Sequence, residues 1–411
     1  MKASSLKAEP AFLILLIGLL VGCEPSENTT KLVGPWLFVL NIGEENLPFR
    51  AEITEEHSEL KFYVINGNER IRAEEFKLQR DSVYIRLPIF NTALIGKFEG
   101  ETITGLFRDF SRKGDYQIPF TATSGERSRF PLGNGAASNV NGKWKVEFSP
   151  GSDNEYLAIG KFEQRGNQAF GTFLTTTGDY RYLEGNVVGD SLFLSCFDGA
   201  HAFLFKARIN GDKIEGNFWS GKHWQENWTG VRSADYELPD PTSLTFLKPG
   251  YSKVDFSFEN MEGKTVQLSD EKYNDKVVIV QLMGSWCPNC KDETAYLVSL
   301  HRKFNEQGLE IVALAFEKSD NKETNLSSLN RMRDHFDVPY EILLAGKASK
   351  SEAAQMLPML NHVLSFPTTI FIDRKGEVRR IHTGFSGPGT GEYYHEFVEE
   401  TDKFVTQLLI E

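Results

Sequence analysis

The chain has 411 residues, of which 40% are hydrophobic and 12% aromatic. This length and composition allow two or three domains with apolar cores and exclude a disordered chain. The formal net charge of -12 leaves no basic stripe for phosphates, which argues against a nucleic-acid partner and favours proteins or small molecules as partners.

The N-terminus has the features of a targeting segment. Lysines precede an apolar run, residues 11–22, that is too short to span a bilayer, which predicts a signal peptide over residues 1–22. The string Leu20-Val21-Gly22-Cys23 resembles a bacterial lipobox, which implies cleavage before Cys23 and lipid attachment at Cys23. An ordinary secretory signal is the alternative, and both place the chain outside the cytosol. Residues 23–31 are polar and predict a tether between lipid and first domain.

The next two hundred residues have the pattern of strands throughout. Short alternating apolar runs are separated by turn signals such as Asn66-Gly67 and Asn210-Gly211. The region is an internal repeat, because Gly34-Pro35-Trp36 matches Gly142-Lys143-Trp144. We therefore predict two all-β units, residues 32–128 and 138–232, each with seven or eight strands that form a barrel-like meander or a sandwich. The Gly-x-Trp openings resemble those of lipocalin and avidin-like barrels.

A proline-rich segment, residues 233–250, predicts a linker of limited flexibility before the last domain, residues 251–411. In that domain the buried strand pattern of Val277 to Met283 leads into a helix from Pro288. A second apolar strand and a second helical pattern follow, and this βαβ order implies parallel strands. A hairpin about Lys375-Gly376 and a terminal helix complete a predicted α/β domain.

The stretch that carries chemistry is Trp286-Cys287-Pro288-Asn289-Cys290, at the predicted strand-to-helix turn. A helix that begins near Pro288 places the Cys287 sulfur beside unpaired backbone N–H groups and the positive end of the helix dipole, which favour the thiolate. Cys287 is the predicted nucleophile. Cys290, one turn further on, is the predicted resolving thiol that attacks a mixed disulfide on Cys287.

The remaining cysteines give no sign of a metal site. A structural zinc centre needs four ligands, and the sequence has no second Cys pair and no His pair at finger-like spacing. The alternation of Leu192, Leu194 and Cys196 puts Cys196 on an apolar face, where a buried, inert thiol is expected. We predict no metal and no cofactor.

Strand, Cys-x-x-Cys at a helix start, strand, helix, then Phe366-Pro367-Thr368-Thr369 before a hairpin and a last helix: this order resembles thioredoxin-fold proteins, and most closely the TlpA/ResA-like thiol-disulfide oxidoreductases. The resemblance implies that Pro367 is cis and faces the dithiol. It also implies that the backbone before Pro367 pairs with an extended substrate segment. Trp286, Phe366 and Pro367 are the predicted substrate-binding residues.

Glu293 is the candidate proton acceptor for Cys290, because helical spacing of three residues places both side chains on one side. Gln281 stands where thioredoxins carry a buried Asp and cannot act as that base. Glu293 also matches the carboxylate that TlpA/ResA-like proteins place near their cysteines. An ordinary first-turn glutamate is the alternative.

These features predict a membrane-anchored extracytoplasmic oxidoreductase. Pro288-Asn289 between the cysteines, with Asp292 and Glu293 behind them, predicts weak thiolate stabilisation and hence a reducing couple. The expected partners are exported proteins with disulfides, a membrane electron donor, and the membrane itself through lipid on Cys23. Three alternatives stay open: a peroxidase of the same fold superfamily, a ligand-binding lipoprotein, and a copper chaperone that uses the cysteines with His362 or His382.

Overall fold

The computed structural model describes residues 31–112, 114–133 and 135–411. The predicted signal peptide, Cys23 and nearly all of the predicted tether lie outside the described residues. In the described part of the chain, two antiparallel nine-stranded sheets are followed by one mixed seven-stranded sheet. The fold is therefore multidomain, with all-β structure first and α/β structure last, as the sequence predicts. Within the described ranges, no helix has both the length and the apolar character needed to cross a bilayer.

The first β unit is one antiparallel sheet with the strand order β4-β3-β2-β1-β9-β8-β7-β6-β5. Its strands are β1 (Gly34–Asn41), β2 (Asn46–Glu56), β3 (Glu59–Asn66), β4 (Glu69–Arg72), β5 (Glu75–Gln79), β6 (Ser82–Arg86), β7 (Thr92–Glu99), β8 (Thr102–Asp109) and β9 (Tyr116–Ser124). The two edge strands, β4 and β5, are separated by only Ala73 and Glu74. The sheet must therefore curl until its edges meet, although they share no strand pairing.

The second β unit closes completely. Its strands are β10 (Gly142–Phe148), β11 (Tyr156–Arg165), β12 (Gln168–Thr175), β13 (Gly178–Asp179), β14 (Leu183–Val188), β15 (Ser191–Phe197), β16 (Ala202–Asn210), β17 (Lys213–Ser220) and β18 (Trp224–Arg232). β11 pairs with both β10 and β12, so eight strands form a ring to which the short β13 is added at β12. Of the two predicted architectures, this unit is the barrel.

The repeat predicted from sequence is visible as a shift of nine strands. Trp36 on β1 and Trp144 on β10 are both buried, and each indole N–H donates to a backbone carbonyl four residues earlier, at 2.8 Å to Leu32 and 2.9 Å to Val140. Each unit has nine strands within the described residues rather than seven or eight. In the second unit the expected number was too low because β13, with two residues, leaves no alternation to detect.

The last domain has a mixed sheet in the order β20-β19-β23-β22-β21-β24-β25. Its strands are β19 (Ser257–Asn260), β20 (Thr265–Gln267), β21 (Val277–Met283), β22 (Leu309–Glu317), β23 (Glu341–Lys347), β24 (Thr368–Ile372) and β25 (Val378–Thr383). The helices, including a short one in the preceding segment, are α1 (Pro241–Leu244), α2 (Pro288–Phe304), α3 (Lys322–Phe336), α4 (Lys350–Met356) and α5 (Glu392–Ile410). β21, β22 and β23 are parallel, as the βαβ order requires.

The three parts pack against one another rather than standing apart. Phe197, Ala202 and Leu204 of the second unit are buried in the apolar core of the first. Ile89 and Phe90, which follow β6 of the first unit, belong to the core of the last domain. This packing places both β units next to the cysteine pair.

Candidate active site

The cysteine pair lies where β21 gives way to α2. All seven residues of β21 are buried, so the strand holds the turn that follows it rigidly in the core. Cys287 is the N-cap residue of α2, and its sulfur accepts a hydrogen bond from the backbone N–H of Cys290 at 3.2 Å. Pro288 takes the first helical position, where a missing N–H leaves no bond unmade. The helix start therefore stabilises negative charge on the Cys287 sulfur.

Trp286, Phe366 and Pro367 lie around the Cys287 sulfur. The Phe366–Pro367 peptide bond is cis, as the resemblance implies, and the Cys287 thiol donates to the Phe366 carbonyl oxygen at 3.3 Å. The Trp286 ring meets the Phe366 ring edge-on, with centroids 6.0 Å apart, and its N–H donates to the Phe316 carbonyl at 2.8 Å. The structure thus brings together the substrate-binding residues predicted from sequence.

Cys290 lies deeper than Cys287 and is fully buried. Burial raises the pKa of the Cys290 thiol well above its ordinary value, and the neighbouring Cys287 and Glu293 raise it further. Both cysteines are free thiols here. Cys290 is therefore held as a neutral thiol, and it needs a proton acceptor when it attacks.

Glu293 is buried beneath the pair, on the first turns of α2. Its carboxylate accepts hydrogen bonds from the Gln281 amide at 2.8 Å and from the Thr369 hydroxyl at 2.7 Å. Gln281 and Thr369 are opposite each other in the β21–β24 pairing, which explains why both reach it. Burial raises the pKa of Glu293 to about 7, although the two hydrogen bonds act in the opposite direction. A carboxyl group with this pKa can exchange a proton near neutral pH.

Sequence reasoning missed a second buried carboxyl group, that of Glu317. It accepts hydrogen bonds from the Ser285 backbone N–H and hydroxyl, both at 2.7 Å, and burial raises its pKa to about 7. Glu317 thereby fixes the backbone immediately before Trp286. Glu317 is the last residue of a parallel strand, and in α/β sheets functional groups often lie at the C-terminal ends of such strands. The strand pattern in the sequence could therefore have indicated Glu317 as a candidate.

The second β unit covers the site. The hairpin tip between β12 and β13 lies against Ser365 and Asn289, and the guanidinium of Arg181 pairs with the carboxylate of Asp292 on α2. Cys287 is only 6% exposed. Nothing in the sequence around Arg181 predicts this contact, because it joins residues more than a hundred positions apart.

An open cleft of about 580 Å³ lies beside Trp286. All three parts of the chain contribute to it, including Phe110 and Arg112 from the first unit, His201 from the second and Lys318 from the last domain. The Lys318 ammonium lies 4.4 Å from the centre of the Trp286 ring, within cation–π range. The cleft reaches Trp286 and Pro288 from the solvent side.

The remaining candidate residues lie apart from the dithiol chemistry. Cys196 is fully buried in the apolar core of the second unit, as predicted, and burial raises its pKa well above the ordinary value. His382 is on β25, with its ring 4.9 Å from that of Phe397, and burial lowers its pKa to about 4. His362 lies on the loop between α4 and β24. In the described ranges, no three His, Cys, Asp or Glu side chains are grouped as a metal site would need.

A pair of thiols at a helix start, opposite a carbonyl that precedes a cis-proline, on a thioredoxin-like sheet, is the arrangement of a thiol-disulfide oxidoreductase. Comparison with known proteins agrees. The model of the AhpC/TSA family matches residues 249–381. Thiol-disulfide oxidoreductase ResA of Bacillus cereus is 30% identical over 132 residues, which are 32% of this chain and 68% of the relative. Through its last domain the chain belongs to the ResA family of thiol-disulfide oxidoreductases.

Other relatives carry similar names. Thiol-disulfide oxidoreductase ResA of Halalkalibacterium halodurans is 27% identical over 155 residues, 38% of this chain and 78% of that protein. Among solved structures, a thiol:disulfide interchange protein of the thioredoxin family from Chlorobium tepidum has 19% identity and a TM-score of 0.29, and the match covers 38% of this chain and 95% of that chain. A thiol-disulfide oxidoreductase from Bacteroides fragilis has 16% identity and a TM-score of 0.28, with 36% and 99% covered.

Proposed function

We propose that the protein reduces disulfide bonds of exported proteins through Cys287 and Cys290, while a lipid on Cys23 anchors it to a membrane outside the cytosol. The observation that carries the proposal is the contact set of the Cys287 sulfur. It accepts from the Cys290 N–H at 3.2 Å and lies 3.3 Å from the Phe366 carbonyl oxygen, beside the edge on which an extended client segment would pair.

The reaction proceeds by two exchanges. The Cys287 thiolate attacks one sulfur of the client disulfide, which forms a mixed disulfide and releases the other client sulfur as a thiolate. Cys290 then loses its proton and attacks the Cys287 sulfur, which forms the Cys287–Cys290 disulfide and releases the second client sulfur. The client gains two electrons and two protons, and the protein loses them.

Glu293 is the proposed acceptor of the Cys290 proton. Its raised pKa, about 7, means that a substantial fraction of Glu293 is ionised near neutral pH and can take up a proton. Glu293 and Cys290 lie three residues apart on α2 and are both buried. Gln281, which donates to Glu293 at 2.8 Å, would hold the carboxylate in position.

The direction and the location rest on sequence. The segment between the cysteines, Pro288-Asn289, supplies no cationic group to stabilise a thiolate strongly, and this favours a reducing couple. An oxidising compartment would leave such a pair closed, so a membrane partner must return two electrons after each cycle. The string Leu20-Val21-Gly22-Cys23 supports lipid anchoring.

Trapping tests the function directly. A Cys290→Ser variant cannot resolve the mixed disulfide, so clients should stay covalently bound to Cys287 and be identified by mass spectrometry after non-reducing separation. Cys287→Ala is the matched control and should trap none. Equal yields of disulfide-linked proteins from both variants would disprove the assigned nucleophile, and an equilibrium potential near that of strong periplasmic oxidants would overturn the reducing direction.

A further inference from the structure

One edge of the site is covered by the chain itself. The tip of the β12–β13 hairpin, residues 175–179, lies against Ser365 and against Gly384, whose N–H donates to the Pro367 carbonyl oxygen, and we call it the covering hairpin. Its turn consists of Thr176 and Thr177. The covering hairpin belongs to the second β unit, whereas the surface beneath it belongs to the last domain.

The covering hairpin contacts the last domain mostly through its backbone atoms. An extended peptide bound in a groove would make contacts of the same kind. The Ser365 hydroxyl donates to the Thr177 carbonyl oxygen at 2.8 Å. A β-carbon at Gly384 would lie 2.8 Å from the Thr176 carbonyl oxygen, so the two backbones are in direct contact. Gly384 in turn donates to the Pro367 carbonyl oxygen at 2.9 Å, which places this contact immediately beside the cis-proline.

On the cysteine side the covering hairpin meets the residue between the two thiols. A β-carbon at Gly178 would collide with the amide group of Asn289, so the Gly178 backbone lies directly against the side chain of this residue, which stands between the two cysteines. The side-chain amide oxygen of Asn289 is buried and accepts no hydrogen bond from any described residue. This contact therefore leaves a polar group unsatisfied, which costs free energy that an incoming client could recover.

Two charged residues, Asp179 and Arg181, hold the end of the covering hairpin in place. The Asp179 carboxylate accepts from the Gly387 N–H and from the Arg181 N–H, both at 2.7 Å. The Arg181 side chain is buried and pairs with Glu69 at 2.6 Å as well as with Asp292 on α2. The end of the hairpin at Asp179 is thus fixed, whereas among the described contacts of Thr176, Thr177 and Gly178 with the last domain there is one hydrogen bond, from Ser365, besides packing.

We infer that the covering hairpin occupies the place of an extended client segment, and that it must leave this place before Cys287 can react with a protein disulfide. This inference rests on the proposed function, and it adds that access of clients to Cys287 is regulated by the covering hairpin. The expected client is a disulfide in an extended, flexible segment, because only such a segment can replace a narrow hairpin tip. Cys287 is only 6% exposed, and the covering hairpin contacts Asn289 and Ser365 on either side of it.

The test displaces the tip by steric overlap. Gly178→Leu adds a side chain where even a β-carbon has no room, whereas Gly166→Leu adds the same side chain at the opposite turn of β12, where a β-carbon meets open space. Both glycines have positive φ, so the backbone cost is present in both variants. After reduction and desalting, the rate at which a bulky maleimide alkylates Cys287 is measured by peptide mass spectrometry. The rate of insulin reduction is measured for the same proteins.

We expect Gly178→Leu to raise both rates about tenfold or more, since local opening then no longer limits access, and Gly166→Leu to match the wild type. In the wild type the alkylation rate should level off at high reagent concentration, because opening becomes limiting. This second measurement keeps the test decisive if Gly178→Leu does not fold.

Two different results separate the two proposals. A wild-type alkylation rate that stays proportional to reagent concentration, together with equal rates in both leucine variants, would overturn the covering role and leave the reductase role intact. Faster alkylation of Gly178→Leu without any insulin reduction by any of the three proteins would support the cover and disprove the proposed function.

Discussion

The last domain and the second β unit meet at the same site but contribute to it in opposite ways. The last domain supplies the reacting groups from one short stretch of chain, and Cys287, Cys290 and Glu293 all lie within the first turns of α2. The second unit supplies no reacting group. It contributes a hairpin tip and an ion pair, both of which depend on how the barrel docks. The reacting residues of this protein are therefore close together in the sequence. The residues that cover the site come from a distant part of the chain.

Cys287→Ala is expected to have the largest effect, because it removes the nucleophile that the last domain supplies. Without the nucleophile, insulin reduction should fall to background, a loss of about a thousandfold or more. Circular dichroism should keep the folded spectrum, while loss of the N-cap hydrogen bond of α2 should lower the free energy of unfolding by about 1 kcal/mol. Residual activity that is abolished by a further Cys196→Ala change would show instead that the second unit takes part in the chemistry.

Trp144→Ala tests the barrel that carries the covering hairpin. Removing this fully buried side chain, with its hydrogen bond to Val140, should lower the free energy of unfolding by about 3–5 kcal/mol. Trp224→Ala is the matched control. Its side chain is 46% exposed, so the change should cost less than about 0.5 kcal/mol. Urea unfolding followed by circular dichroism gives both values, and equal losses would show that Trp144 does not anchor the barrel.

Glu293→Gln tests the buried carboxyl group through its pH dependence. Because burial raises the folded pKa from 4.5 to about 7, the folded state keeps a proton that the unfolded chain loses between these pH values. The free energy of unfolding should therefore fall as pH rises through this window, with up to about 3 kcal/mol of the fall due to Glu293, and Glu293→Gln should remove that share. Part of the slope should remain, because Glu317 is raised in the same direction.

The same variant should also resolve mixed disulfides about tenfold more slowly or worse, if Glu293 accepts the Cys290 proton. Stopped-flow measurement of the second exchange, from pH 6 to pH 9, would show it. An unchanged rate and an unchanged pH profile would reduce Glu293 to a purely structural residue.

The smallest effect is expected from Cys196→Ala in the barrel core. The sulfur is fully buried, so its loss should cost about 1 kcal/mol of unfolding free energy and leave insulin reduction unchanged. Equilibrium unfolding and the reduction assay check the two halves of this expectation. A clear loss of reduction would assign Cys196 a chemical role that its position does not suggest.

The sequence was informative wherever function depends on neighbours along the chain. The dithiol, the helix that starts at Pro288 and the cis bond at Pro367 were predictable, because spacing and resemblance specify them directly. The contact of Arg181 with Asp292 was not, since ion pairs between distant residues leave no periodic signal. The closure of the second unit into a barrel was equally unpredictable. Alternation of apolar residues indicates strands but does not show which strands pair.

Phe90 and its neighbour Ile89 give the molecule a further property. These two side chains come from the first β unit, yet they complete the apolar interior of the last domain. A fragment that begins at residue 250 would expose the surface they cover, and it would be prone to aggregate even though its catalytic sequence is whole. The catalytic domain of this chain therefore shares part of its apolar core with the loop between β6 and β7 of the first β unit.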